Sequence, residues 1–306
     1  AEAHAEAHPR DDPTVSAERL ATRAHRLSVD GYTVGIDQYD GPGEPVGVAI
    51  VGHAMMADRR SVERPRGAGL CSTLAGAGFR VYAFDCRGRG DERDRVAQGA
   101  SWGYDEIVER DIPQVVEWVR QREPSRPLAF VGHSLTAHAG LYWAAGLGSD
   151  APIRAFVAFA CNLWNVHDEP SALHWAAKRA LLEAWGAVAR GVGYFPARRL
   201  GIGSSDEPLS YVLDLLRFAR TGRIRARSGM DYTASLQRLS VPVLAFCGTA
   251  DRLYCRCESA RRFLAPIADA VLLEIPEVDH MGVIGDRRAR HAWRFTAEWL
   301  RERMSI

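Results

Sequence analysis

Six short apolar runs alternate with helical patterns along this chain, and that alternation most constrains its fold. The runs are Gly47–Val51, Arg80–Phe84, Pro127–Val131, Arg154–Ala160, Val241–Phe246 and Ala270–Ile275. Continuously apolar strands separated by helices predict a mostly parallel sheet covered on both faces. Ahead of them, Arg26–Val29 and Tyr32–Tyr39 flank Asp30-Gly31, a pairing that predicts a hairpin. This hairpin adds antiparallel strands at one edge, for about eight strands in all. Helices are expected at roughly 66–77, 105–121, 137–145 and 288–302. The second carries Ile107, Ile112, Val115, Val116 and Val119 on one stripe.

One segment breaks the rhythm. Between about Cys161 and Ser240 no clear strand occurs, which is too long for a plain connection. It holds helical runs at Leu173–Ala189 and Leu209–Ala219. It also holds many aromatics, among them Trp164, Trp175, Trp185, Tyr194, Phe195, Tyr211 and Phe218. The expected organisation is therefore a tail at 1–20, an α/β core from 21–160 and 241–306, and an inserted helical cap at 161–240. The aromatics are read first as the cap's own core, with some lining a pocket.

Composition excludes several functions. The 306 residues are 47% hydrophobic and 25% charged, an ordinary globular balance. The net charge of +1, from 39 basic and 38 acidic residues, favours neither nucleic acid nor an anionic membrane surface. No apolar run is long enough to span a bilayer. No signal peptide is visible, although a chain beginning with Ala leaves a removed leader open. The cysteines at 71, 86, 161, 247, 255 and 257 are read as buried free thiols of a cytoplasmic protein. Cys255-Arg-Cys257 has no second pair at metal-ligand spacing, so no zinc site is expected. No phosphate-binding glycine loop is present either: Gly88-Arg-Gly90 lacks the third glycine. No cofactor is implied.

Chemistry enters at Gly132-His133-Ser134-Leu135-Thr136, between an apolar run and a helical pattern. Strand, sharp turn with Ser at its apex, and helix form the context of a nucleophile elbow, which lifts a serine hydroxyl clear of a sheet edge. The plainer reading is a serine in an ordinary Gly-containing turn, and Thr136 favours it, because the motif usually ends in Gly. A serine nucleophile also needs a base, and the base needs a carboxylate. Asp251 follows the run at 241–246 and His280 follows the run at 270–275, in the order Ser, acid, His that such a topology requires. Each has a bland alternative, Asp251 as a turn or helix-capping residue and His280 as a surface loop histidine. His133 and His138 are expected to point away from the serine. The backbone N–H of Leu135 and of Met55, with Met56 as the fallback, are the expected oxyanion donors. His53, Met56 and Trp164 are the expected substrate contacts. Thr136 predicts a slightly displaced helix start and a reshaped oxyanion hole.

With these residues in view, the chain resembles the α/β-hydrolase superfamily from about residue 27 to 304, in particular its serine esterase, lipase and peptidase-like branch with a helical cap. His53-Ala54 resembles the family's His-Gly pair. Asp85-Cys-Arg87-Gly88-Arg-Gly90 matches its Asp-x-Arg-Gly-x-Gly loop, in which the Asp and Arg are structural. Gly132-His-Ser134, Gly248-Thr-Ala-Asp251 and Asp279-His280 match the nucleophile, acid and base loops. The resemblance implies a hydrolase that cleaves a carboxylic ester or thioester with an apolar acyl group, free or carrier-bound, through an acyl-enzyme. Acyl transfer or C–C bond hydrolysis by the same triad is the alternative. A ligand-binding protein that kept the fold is a third reading. Monomer and homodimer both remain open.

Overall fold

The computed structural model describes residues 20–304; the expected tail lies outside them but for Leu20. Among the described residues ten strands are formed: β1 (Ala21–Val29), β2 (Tyr32–Asp40), β3 (Gly47–Val51), β4 (Phe79–Phe84), β5 (Leu128–His133), β6 (Ala155–Phe159), β7 (Tyr194–Phe195), β8 (Glu207–Pro208), β9 (Val243–Gly248) and β10 (Ala270–Ile275). The helices are α1 (Leu70–Gly76), α2 (Tyr104–Glu106), α3 (Ile112–Arg122), α4 (Leu135–Leu147), α5 (Ala172–Val192), α6 (Leu209–Thr221), α7 (Tyr232–Ser235), α8 (Cys257–Leu264), α9 (Gly282–Gly285) and α10 (Arg290–Met304).

Eight strands form one sheet in the order β1-β2-β4-β3-β5-β6-β9-β10. The hairpin strands β1 and β2 run antiparallel, and β2 joins β4 in the same sense. From β4 onward every pairing is parallel. The expected architecture is therefore present, antiparallel edge included. The short β7 and β8 pair separately.

Side chains alternate across the sheet with the period of two that strands impose. Val48, Ile50, Phe130 and Phe156 pack on one face with α3, α4 and much of the 161–240 segment, including Trp185, Tyr211 and Phe218. Ala49, Val51, Val131 and Val157 pack on the other face with α1 and α10. Trp293 of α10 is fully buried there, its indole N–H donating to the Val283 carbonyl at 2.8 Å. The aromatics of 161–240 thus share a core with the sheet.

Some boundaries differ from expectation. The first helix begins at Leu70, not near 66, because two glycines, Gly67 and Gly69, occupy the approach and the Glu63 carboxylate accepts the N–H groups of Gly67 and Ser72. The expected helix at 105–121 runs from α2 into α3 through a widened turn, Ile107–Asp111. Asp111 in that turn is fully buried and accepts from Arg87 Nε at 2.7 Å and from the Arg87 N–H at 3.0 Å. Asp85 is likewise buried and accepts the Arg59 N–H at 2.7 Å and its guanidinium. Gly90 turns at φ 57°, and a Cβ there would lie 2.2 Å from Asp85 Oδ2. The loop after β4 is thus held by buried ion pairs, which places the carboxyl edge of β3 and β4.

The cysteine expectation needs correction. Cys247 and Cys257 are joined by a disulfide with a Cα separation of 5.3 Å, while Cys71, Cys86, Cys161 and Cys255 are free and buried. The chain leaves β9 at Gly248 and returns at the first residue of α8, so the two sulfurs meet although they are ten positions apart. The Glu274 carboxylate lies within 4.8 Å of both sulfurs, but sulfurs bonded to each other are not thiolate ligands. No helix among the described residues is long and apolar enough to cross a membrane.

Candidate active site

Ser134 occupies the single residue between β5 and α4. Its backbone sits at φ 50° and ψ −106°, a conformation that non-glycine residues adopt only where the surroundings enforce it. The enforcement is visible. The Ser134 N–H donates to the Phe159 carbonyl at 2.9 Å, and the Ser134 carbonyl accepts the N–H of Ala137 at 3.0 Å and of His138 at 3.1 Å. The helix therefore starts directly behind the serine.

Three loops converge on the serine hydroxyl. His280 Nε2 lies 2.9 Å from Ser134 Oγ, and His280 Nδ1 lies 2.6 Å from Asp251 Oδ2. The geometry assigns the Nδ1 proton to the carboxylate side and leaves Nε2 to accept from the hydroxyl. Asp251 is 5% exposed and accepts two backbone N–H groups, Tyr254 at 2.8 Å and Cys255 at 2.9 Å. Burial alone would raise the Asp251 carboxyl, but the bond to His280, its charge and these two N–H groups outweigh that and hold it below the usual carboxylate value. The disulfide closes the base of this same loop, from β9 to α8. Nε2 of the His133 ring donates to the backbone carbonyl of His280 at 2.9 Å, bracing the loop that carries His280.

Thr136 is accommodated across the turn. It is fully buried, and a Cβ on Gly52 would lie only 2.6 Å from Thr136 Cβ and Oγ1. The small residue absent at the end of the elbow is supplied by Gly52 at the end of β3, so the expected displacement of the helix start finds no support. The Thr136 hydroxyl also accepts the His133 N–H at 3.1 Å. The N–H of Thr136 donates to the His53 carbonyl at 3.3 Å and that of His133 to the Gly52 carbonyl at 3.2 Å. These bonds stitch the loop after β3 to the elbow.

That loop carries Met55. Neither the Met55 nor the Leu135 N–H has a hydrogen-bond partner among the described residues, although Leu135 is only 1% exposed. Buried N–H groups without partners are rare and call for an explanation. The fallback donor fails: the Met56 N–H donates to Glu207 Oε1 at 2.7 Å, and the Met56 side chain is buried in the core. His53 is not a substrate contact either. It is fully buried, Nδ1 of its ring donating to the Ala54 carbonyl at 2.7 Å and Nε2 accepting the Cys86 N–H at 3.0 Å. Since the Ala54 carbonyl and the Met55 N–H belong to one peptide plane, His53 aims that N–H.

An aromatic series approaches His280 from the 161–240 segment. Trp164 stacks on Trp185 and on Tyr254, each at 5.9 Å between ring centres, and Tyr254 lies 5.1 Å from the His280 ring. The Trp164 indole N–H donates to the Tyr254 carbonyl at 2.8 Å. Trp164 was expected at the site; Tyr254 was not, as nothing in the sequence marks it beyond its place three residues after Asp251. Glu207 and its partner Arg89 were also missed.

Residues 65–292 match the Alpha/beta hydrolase family, and the chain belongs to it. No curated protein matches the sequence. Among solved structures, the chain is similar to a soluble variant of monoglyceride lipase from Saccharomyces cerevisiae (TM-score 0.72, 16% identity, covering 97% of this chain and 100% of that one). It is similar as well to Est1E from Butyrivibrio proteoclasticus (0.61, 16%, 92% and 99%). A thermophilic esterase from Thermogutta terrifontis is a third such structure (0.62, 14%, 92% and 100%).

Two outcomes follow. Gly52→Ala is expected to destabilise the fold by about 1–3 kcal/mol through overpacking, and to cost little in a Thr136→Gly background. Urea midpoints of the four proteins check this; a stable Gly52→Ala single variant would contradict it. The second concerns pH. Burial pushes His53, His133 and His138 down to about 3, helped by the Arg89 charge for His53 and by His280 for the other two. Their folded pKa lies below the unfolded value near 6.5, so their contribution is complete above pH 6.5 and is lost as pH falls towards 3. Well below pH 6.5, stability should fall by about 1.4 kcal/mol per pH unit for each of them. Unfolding free energies that stay level from pH 7 to pH 5 would contradict this.

Proposed function

We propose that the protein is a serine hydrolase that cleaves a carboxylic ester or thioester with an apolar acyl group through an acyl-enzyme. The observation that carries this reading is the continuous series Asp251–His280–Ser134, at 2.6 and 2.9 Å, in a fold where the Met55 and Leu135 N–H groups have no partner among the described residues. Ser134 Oγ attacks the carbonyl carbon while His280 Nε2 takes its proton. Asp251 keeps Nδ1–H in place and stabilises the imidazolium that forms. The Met55 and Leu135 N–H groups stabilise the oxyanion. His280 then passes the proton to the leaving alcohol or thiol. A water, deprotonated by the same ring, releases the acid and restores Ser134.

Residues 161–240 act in this reading as the cap, presenting Trp164 over Tyr254 beside the base. These flat apolar faces and the Met55 side chain favour an apolar acyl group. The esterase and lipase names carried by proteins of similar fold agree with ester cleavage.

Turnover of p-nitrophenyl esters and acyl thioesters by wild type and variants tests the proposal. Ser134→Ala is expected to lose about 10⁶-fold in kcat and Asp251→Asn about 10⁴-fold. Equal turnover by wild type and Ser134→Ala would refute the serine mechanism.

A further inference from the structure

We propose that Glu207 and Arg89 are positioning residues that set the oxyanion loop from within the 161–240 segment; this rests on the hydrolase reading above. Both side chains are completely buried. Arg89 Nη2 reaches Glu207 Oε1 at 2.9 Å and Oε2 at 2.7 Å, and Arg89 Nη1 donates to the Arg87 carbonyl at 2.9 Å. A buried ion pair contributes little net stability over an apolar pair of the same volume, so its presence asks for another purpose.

The purpose lies in what Glu207 does with its remaining capacity. Its Oε1 accepts the Met56 N–H at 2.7 Å. The carbonyl of Met56 is claimed from the same segment, by the Ser204 N–H at 2.8 Å and the Ser205 N–H at 3.2 Å. Met56 is thereby held at φ 57°, which a methionine does not adopt unaided. Gly203 lets the two backbones meet, since a Cβ there would lie 2.5 Å from the Met56 oxygen.

Two consecutive peptide planes are thus gripped. His53 holds the plane that carries the Met55 N–H, through the Ala54 carbonyl. Glu207 holds the next plane, through the Met56 N–H. Without Glu207 that second plane is free to rotate about Met55, and the Met56 N–H, otherwise left unsatisfied in a dry interior, turns toward the nearest acceptor. Because the two planes share the Met55 Cα, that rotation also carries the Met55 N–H away from the oxyanion position. Arg89 works against the burial that raises the Glu207 carboxyl, and aims it. The hole is therefore completed by the segment that also presents the aromatic series.

Two paired replacements separate this role from simple stability. Arg89→Met with Glu207→Gln removes both charges but keeps an amide oxygen for the Met56 N–H. Arg89→Met with Glu207→Leu removes the acceptor as well. Both should fold by circular dichroism and thermal unfolding. The first is expected to keep a kcat on a p-nitrophenyl ester at least about tenfold above that of the second. The second is expected to lose about 10²-fold in kcat, the scale of one oxyanion donor, with KM little changed. Equal kcat in the two folded proteins, high or low, overturns the proposal. If either fails to fold, Glu207→Asp serves: its carboxylate keeps the charge opposite Arg89 but is one methylene short of the Met56 N–H. A tenfold or greater loss in kcat at constant KM supports the role, and an unchanged kcat overturns it. Should wild type turn over no ester but react with a fluorophosphonate at Ser134, labelling rates across the same variants give the same comparison. A wild type that does neither refutes the hydrolase reading, and the positioning role with it. A wild type that does either, with variants that follow it, refutes the positioning role alone.

Discussion

The site depends on one backbone constraint, the reversal of the chain at Ser134 between β5 and α4. A serine at φ 50° is unfavourable by itself. It persists because β6 accepts its N–H, α4 begins on its carbonyl, and the end of β3 packs against Thr136. Gly52 matters more than its size suggests. It provides the room that a glycine at position 136 would otherwise provide, and the tight contact that results binds the loop of Met55 to the elbow. The departure from the usual motif is thus balanced at a residue 84 positions away in sequence.

Around this turn the protein buries several charged pairs. Asp85 with Arg59, Asp111 with Arg87, and Glu207 with Arg89 are ion pairs at or near zero exposure. Together they fasten the loops that follow β3 and β4. His53, kept neutral by burial, works in the same direction by bonding through both ring nitrogens. Buried pairs of this kind specify position better than they stabilise, since desolvation offsets much of their attraction. The proposed oxyanion hole needs that specificity, because an N–H misplaced by an ångström contributes little to a transition state.

Much of the architecture was legible because periodicity reports it directly. The apolar runs gave the parallel strands, Asp30-Gly31 gave the edge hairpin, and the order of Ser134, Asp251 and His280 along successive strand ends gave a site whose side chains meet in the structure. What escaped depends on long-range geometry. Nothing local in the sequence says that Glu207 will reach Met56, 151 residues earlier, or that Arg89 will pair with it. His53 looked like a substrate contact because it shares a loop with the expected oxyanion donors; only its two internal bonds show otherwise. The pairing of Cys247 with Cys257 was hidden by the return of the chain from β9 to α8, which composition does not report.

The central claim is that Ser134 is a nucleophile served by the N–H groups of Met55 and Leu135. The most direct test is a crystal structure of the protein after reaction with a fluorophosphonate. The account predicts a covalent bond from Ser134 Oγ to phosphorus, with the phosphoryl oxygen within hydrogen-bond distance of both N–H groups and the Met56 N–H still on Glu207. An adduct on another residue, or a phosphoryl oxygen bound elsewhere, would contradict it.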